Sequence, residues 1–407
     1  MKHCLSSACA EMLDPYKVRE DFPSIVGDHI FMNNADSTGI PVPVLEKVLA
    51  YYNEVKSRPG SESTSSHRAL ELYQEALETI LKHLGASEEN IVFSSSNFQS
   101  LTVILQSIEL RNNDVFLVSS NTQSRVMSLL KEYVSANKGR VEVVDLDSED
   151  IEERLKAIVK KGVKAAFITH VCGATGAITP LDEVMPVLKD KGVITILDST
   201  YSMQRMKPNL PKMGVDYAYF KSGNMFSIEG VSVLYFSEER ANSIKRTQGY
   251  SILKRGEDEK HVNLVALAAA IKYLDGLGFE EILNHERSLV NEITSIAAGD
   301  GISFYQASSK ESRTGILSLT LSQLPSNFLQ IILEDQFQII AESGGFDSPL
   351  LLQKTGGRDA LRLSPTIFNT VEEARKVGEK LAEIRESWKE KIVEEKPGEE
   401  ESQPLAE

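Results

Sequence analysis

After Gly85 the chain alternates short apolar runs with longer segments whose apolar residues recur every three or four positions. "NIVFSSS", "DVFLVSS", "RVEVVDL", "AAFITHV" and "VITILDST" read as strands, and "DYAYFKSGNMFSIEGVSVLYF" reads as a strand, a turn and a strand. Between them, "FQSLTVILQSIE", "SRVMSLLKEYVSAN", "DIEERLKAIVKKG" and "LDEVMPVLKDKG" carry helical periodicity. Strands this apolar, separated by helices, predict an α/β fold with a sheet covered on both faces. Ligands in such sheets bind beyond the carboxyl ends of the strands. That rule singles out Ser94–Asn97, Ser119–Gln123, His170–Gly173 and Asp198–Tyr201.

Two more helices precede this region, "PVPVLEKVLAYYNEVK" with proline at its start and "ALELYQEALETILKHLGA" with a buried stripe. "VNLVALAAAIKYLDGLGFEEILNHERSLVNEITSIA" supplies long helices leading to a smaller domain, with strands expected in "TGILSLTLS", "FQIIAES" and "ALRLSPTIF". The organisation expected is an N-terminal arm over 1–30 that contributes to the small domain and a large α/β domain over 31–300. A small α+β domain over 301–387 and an acidic tail over 388–407 complete it. The tail is proline-bearing and poor in core formers, so disorder is expected there, with solubility or partner docking as its uses.

With 407 residues, 41% hydrophobic and 25% charged, the chain can bury a large core. Its formal charge of −15 argues against a nucleic-acid binder, which presents a basic surface. Three cysteines, Cys4, Cys9 and Cys172, form neither a disulfide framework nor a spaced metal site. No apolar run of signal or membrane length follows the N-terminus, so a cytoplasmic protein with no membrane partner is expected.

Four places can carry chemistry. Asp198 closes an apolar strand and can pair with a heteroaromatic nitrogen, or cap the next segment. Ser94, Ser95, Ser96 and Asn97 precede a helix whose free N–H groups can receive an anion, although ordinary capping fits equally well. His170 and Cys172 lie two apart, which admits a nucleophilic dyad or plain packing. Arg362, in the apolar "ALRLSPTIFNT", can hold a substrate carboxylate or an internal acid.

Six segments in order, "FMNNADSTGIPVPV", "ENIVFSSSNFQSLTV", "ITHVCGATGAITPLDEV", "VITILDSTYSMQRM", "VDYAYFKSGNMFSIEGVSVLYF" and "RLSPTIFNTVEEA", resemble the class V aminotransferase group of fold-type I pyridoxal phosphate proteins. The order is most similar to the cysteine desulfurase and selenocysteine lyase branch, over about Phe22 to Leu381. The resemblance implies a mainly parallel seven-stranded sheet with helices on both faces, and a homodimer whose cleft both subunits complete. Asp36–Gly39 and the region of Gly256 would contribute to that arrangement. It also implies that Asp198 pairs with the pyridine nitrogen and that Arg362 holds the substrate carboxylate.

The departures are as telling. The family's Schiff-base lysine falls on Asn224 and the preceding phosphate-binding histidine on Gly223. The histidine stacked on the cofactor is replaced near Gln123. The phosphate cradle becomes Ser96, Asn97 and Phe98, the asparagine near the phenolic oxygen becomes Gly173, and the glutamine after the aspartate becomes Tyr201. A threonine from the neighbouring subunit falls near Glu257, and the loop carrying the desulfurase cysteine becomes "AESGGFDSPLLL". Asparagine cannot form an aldimine. Lys221, three residues earlier, is the nearest substitute amine. The expectation is a desulfurase-like homodimer that has lost the cofactor's usual chemistry and binds a protein partner or a small anionic metabolite. Ser96, Asn97, Gln123, Asp198 and Tyr201 would meet pyridoxal phosphate, held noncovalently if at all. The alternative is a divergent lyase, transferase or desulfurase that uses another amine. A third reading has the cleft perform different chemistry on another anionic metabolite.

Overall fold

The computed structural model describes residues 13–25, 27, 29–55, 62–146, 151–159, 162–256, 260–307, 309 and 311–395. Glu257, Cys4, Cys9 and the tail beyond Glu395 lie outside the described residues. The large sheet contains β2 (Ile91–Ser94), β3 (Val115–Ser119), β4 (Arg140–Val144), β5 (Val163–Thr169), β6 (Ile194–Asp198), β7 (Tyr217–Lys221) and β8 (Ser232–Phe236). Their order is β2-β8-β7-β6-β5-β3-β4, parallel except for β8, which runs against both its neighbours. The short β1 (Ile30–Phe31), which precedes this sheet in the chain, pairs in parallel with β11 (Ile339–Ile340).

The period-two rule of strands explains the two apolar layers. Along β5, Ala166 and Ile168 face one core with Leu197, Phe220 and Val233, while Ala165 and Phe167 face the other with Ile196, Tyr219 and Leu234. Each layer is closed by helices. His261–Leu277 packs with Thr64–Leu84 on one face, and Asn97–Gln106 lies against β7 and β8 on the other. Burying large side chains on both faces stabilises the sheet by roughly 1.5–3 kcal/mol per residue.

The smaller sheet is antiparallel, in the order β12-β13-β10-β9, with β9 (Ile302–Tyr305), β10 (Leu317–Leu321), β12 (Glu342–Gly344) and β13 (Ala360–Leu363). Its core joins Leu319, Leu361 and Leu363 to Ile293 of the helix Phe279–Ala297 and to Leu381 of the helix Val371–Glu395. Ile30 and Met32 enter the same core, so the chain's first strand packs with its last third.

Three details differ from the sequence reading. "FQIIAES" is not one strand; Ala341 separates β11 from β12, which pair with different partners. The long apolar stretch breaks at Gly278, where φ is +84° and the two helices diverge by 73°. The last helix reaches Glu395, into the stretch expected to be a disordered tail. Among the described residues, no single helix is long and apolar enough to cross a membrane.

Candidate functional site

The parallel strands β5, β6 and β7 end on one side of the large sheet, where a cleft of about 350 Å³ opens. Asp36, Ser96, Asn97, Gln123, Asp198 and Tyr201 line it, together with Lys221. Of the residues singled out from sequence, Asn224 and Arg362 are buried and do not line the cleft. His170 and Cys172 go separate ways. Cys172 packs among Ala174, Ala177 and Ala307, whereas His170 borders a second groove with Thr179 and Met185. Burial lowers the His170 imidazole to about 4, which keeps it neutral near pH 7. No thiol–imidazole pair forms.

Asp198 ends β6 and meets donors from its own chain. Its Oδ1 accepts from the Thr200 backbone N–H at 3.0 Å and from the Thr200 hydroxyl at 2.5 Å. Its Oδ2 accepts from the Tyr219 hydroxyl at 3.1 Å. Tyr219 stands beside Asp198 in the parallel register of β6 and β7. Burial raises the Asp198 carboxyl, and the bonds from Thr200 and Tyr219 oppose that rise. The phenol of Tyr219 is pushed far upward by burial and by the adjacent carboxylate, so it remains a donor. Asp198 thus serves both as a local cap and as the acceptor for a tyrosine, and both oxygens are engaged.

The serine-rich turn behaves as a helix cap. The Ser96 hydroxyl accepts from the Gln99 N–H at 3.2 Å, and the Gln99 side chain accepts from the Ser95 N–H at 2.9 Å. Asn97 donates to the Thr200 hydroxyl at 2.8 Å and accepts from Ser232 at 2.7 Å. These contacts take up the Ser95 and Gln99 N–H groups and the Asn97 side chain.

Tyr201 fills the place above Gly173. A Cβ on Gly173 would lie 2.4 Å from the tyrosine ring, so glycine here is a packing requirement. Gln123 reaches the same phenol, its amide donating at 3.5 Å. The Tyr201 carbonyl accepts from Arg205, whose guanidinium is paired at 2.6 Å with Glu286 in the interior.

Asn224 closes a single 3₁₀ turn, Ser222–Asn224, after β7. Its amide nitrogen donates to the Ala35 carbonyl at 3.3 Å, and its Oδ1 is buried without a hydrogen-bond partner. Thr38 donates to the Gly223 carbonyl at 3.1 Å and accepts from the Phe226 N–H at 2.8 Å, so the loop after β1 clasps this turn. Lys221 faces the cleft with its Nζ 3.8 Å from a Glu229 carboxylate oxygen. It is partly exposed, and its ammonium has a carboxylate neighbour.

Arg362, on β13, is 2% exposed. Its Nη1 donates to the Gly173 carbonyl at 3.1 Å and its Nη2 to Asp36 Oδ1 at 2.6 Å, while Phe346 covers its plane at 4.1 Å. The turn carrying Phe346 also crosses to the large sheet's side. There Asp347 accepts from the Arg125 guanidinium at 2.5 Å and its carbonyl accepts from the Ser124 N–H at 2.7 Å.

The comparisons with known proteins agree with this architecture. The family model for aminotransferase class-V matches residues 30–377. The chain belongs to that family. It is 24% identical over 396 residues to a probable cysteine desulfurase of Methanothermobacter thermautotrophicus, covering 90% of this chain and 97% of that protein. It is 23% identical over 420 residues to the cysteine desulfurase of Haloferax volcanii, covering 92% and 97%. Among solved structures, the apo cysteine desulfurase from Thermococcus onnurineus superposes with a TM-score of 0.84 at 21% identity, covering 93% of this chain and 100% of that one. The Escherichia coli cysteine desulfurase CsdA gives 0.80 at 15% identity, covering 92% and 99%. The fold is that of fold-type I pyridoxal phosphate proteins, as the six segments implied.

Within that fold the residues do not fit covalently held pyridoxal phosphate. The turn after β7 offers an amide that bonds the chain's own backbone, and the aspartate ending β6 already accepts three hydrogen bonds from Thr200 and Tyr219. Tyr219, Thr200 and Asp36 were not identified from sequence as partners. The signal available for Tyr219 was its position two residues before Lys221, which places both on one face of a strand.

Proposed function

We propose that this chain kept the desulfurase-like fold, lost catalysis through pyridoxal phosphate, and acts as a homodimeric binding, scaffold or regulatory protein. The observation that carries this reading is the Asn224 side chain, an amide turned to the Ala35 carbonyl at the position where an anchoring amine would be needed. An amide nitrogen is not nucleophilic and cannot exchange a proton with a bound substrate. The internal bonding of Asp198 and Arg362 supports the same conclusion. No mechanism through the cofactor is derived, because its anchoring group is missing.

The dimer in this proposal is supported by the helix Val42–Glu54, on which Leu45, Leu49 and Tyr52 are exposed at positions that share a face. Light scattering across a concentration series tests it, and a persistent monomer contradicts it. The catalytic part is tested by supplying L-cysteine and pyridoxal phosphate and measuring sulfide and alanine. No turnover above free cofactor is expected, and multiple turnovers per chain reject the proposal.

A second reading is favoured by one observation: Lys221 reaches the cleft wall. In that reading the chain is a divergent lyase, transferase or desulfurase whose aldehyde-binding amine is Lys221. Against it, the Lys221 Nζ already lies 3.8 Å from a carboxylate oxygen of Glu229, an ion-pair partner on the cleft wall. Loss of activity in Lys221→Met, with retention in Lys221→Arg excluded, is what this reading requires.

A further inference from the structure

We propose that Asp36 is an internal carboxylate seated on Arg362, and that it sets the specificity of the cleft by excluding small carboxylates. This rests on the reading of the cleft as a noncovalent binding site. Arg362 is buried, yet its fork is only partly used: Nη1 is held by the Gly173 carbonyl, Nη2 by one Asp36 oxygen, and the buried Nε has no hydrogen-bond partner. A guanidinium left so incompletely paired is a receptor for a carboxylate. Asp36 supplies that carboxylate from the chain itself.

Position makes Asp36 a plug as well as a partner. It lines the cleft, with its side chain 53% exposed, while Arg362 behind it is 2% exposed. The loop that carries it is tied down on both sides. The Ala35 N–H donates to the Ser364 hydroxyl at 2.9 Å, just past β13, and the Ala35 carbonyl accepts from Asn224. The carboxylate is therefore presented at a fixed place, and Phe346 closes the open face of the guanidinium. A ligand carboxylate entering the cleft meets Asp36 in front of the buried Arg362, while Glu229 and Lys221 on the cleft wall offset one another. Repulsion between like charges in a partly desolvated cleft disfavours it.

The test is chemical rescue. Asp36→Ala removes the carboxylate and keeps the β-carbon, so formate has the size and charge to replace what was lost. The thermal midpoint of Asp36→Ala should fall, and formate should raise it by about 2 °C or more over chloride at equal ionic strength. Wild type and Asp36→Asn, whose amide still fills the seat, should show no difference between the two salts. By calorimetry Asp36→Ala should bind propionate at least about tenfold more tightly than wild type. Equal effects of formate and chloride on Asp36→Ala overturn the proposal. So does saturable propionate binding to the wild-type protein, a measurement that needs no variant to fold. L-Cysteine turnover by wild type would sink the binding-site reading itself, whereas absence of formate rescue alone sinks only the role given to Asp36.

Discussion

Glu286→Ala is the substitution whose cost the structure fixes most directly. Glu286 and Arg205 are each 1% exposed and meet at 2.6 Å. The same Glu286 oxygen accepts from the Gly315 N–H at 3.2 Å, and its other oxygen accepts from the Thr366 hydroxyl at 3.1 Å. Truncation leaves a buried guanidinium without its counter-charge and two donors without an acceptor. Breaking one side of such a pair costs about 3–5 kcal/mol, while replacing both sides by apolar groups costs much less. Arg205→Met/Glu286→Leu should therefore be more stable than Glu286→Ala alone. Urea unfolding of wild type, Arg205→Met, Glu286→Leu and the double variant, followed by far-UV circular dichroism, measures the cycle, with Glu286→Ala run beside it. A cost below about 1 kcal/mol for Glu286→Ala, or strict additivity in the cycle, would refute the reasoning. The pair also bears on the cleft, since Arg205 holds the Tyr201 carbonyl and with it the ring over Gly173.

Three other outcomes are expected. Gly173→Asn drives a β-carbon into the Tyr201 ring, so it should destabilise by about 1–3 kcal/mol in denaturant titration, and Tyr201→Gln should relieve most of that. Tyr219→Phe removes a donor from Asp198 and should cost about 1.5–3 kcal/mol at pH values where that carboxyl is ionised. Because Asp198 already titrates above its ordinary range and this change raises it further, the cost should shrink as pH falls through the folded-state titration of Asp198. His83 and His170 are lowered by burial to about 4, below their unfolded value. Stability should therefore decline as pH drops from about 6.5 towards 4, and His83→Phe should flatten part of that slope in thermal melts.

Six of the seven strands of the large sheet were legible as apolar runs bounded by polar turns, and the less buried β4 as valines alternating with Arg140 and Glu142. The less regular parts of the small sheet were not. β9 is half-exposed along its length, and β12 is three residues long, too short for periodicity to mark where it parts from β11. At the site, Asp198, Asn224 and Arg362 could be located because strand ends and segment order fix their positions. What they bond could not be read. Tyr219 reaches Asp198 only through the register of two strands, and Asp36 reaches Arg362 across 326 positions of chain. Capping by Ser96 and the cap at Asp198 were both foreseen as local alternatives to ligand contacts, and the structure contains those local bonds. The fate of an amide or a guanidinium depends on tertiary neighbours, which spacing does not encode.

Incubation of the wild-type protein with excess pyridoxal phosphate, borohydride reduction and peptide mapping measures whether any amine in the cleft grips the aldehyde. The account predicts no stoichiometric adduct on Lys221 or any other cleft lysine, and at most scattered labelling of surface lysines. One stoichiometric adduct on a cleft lysine would contradict it.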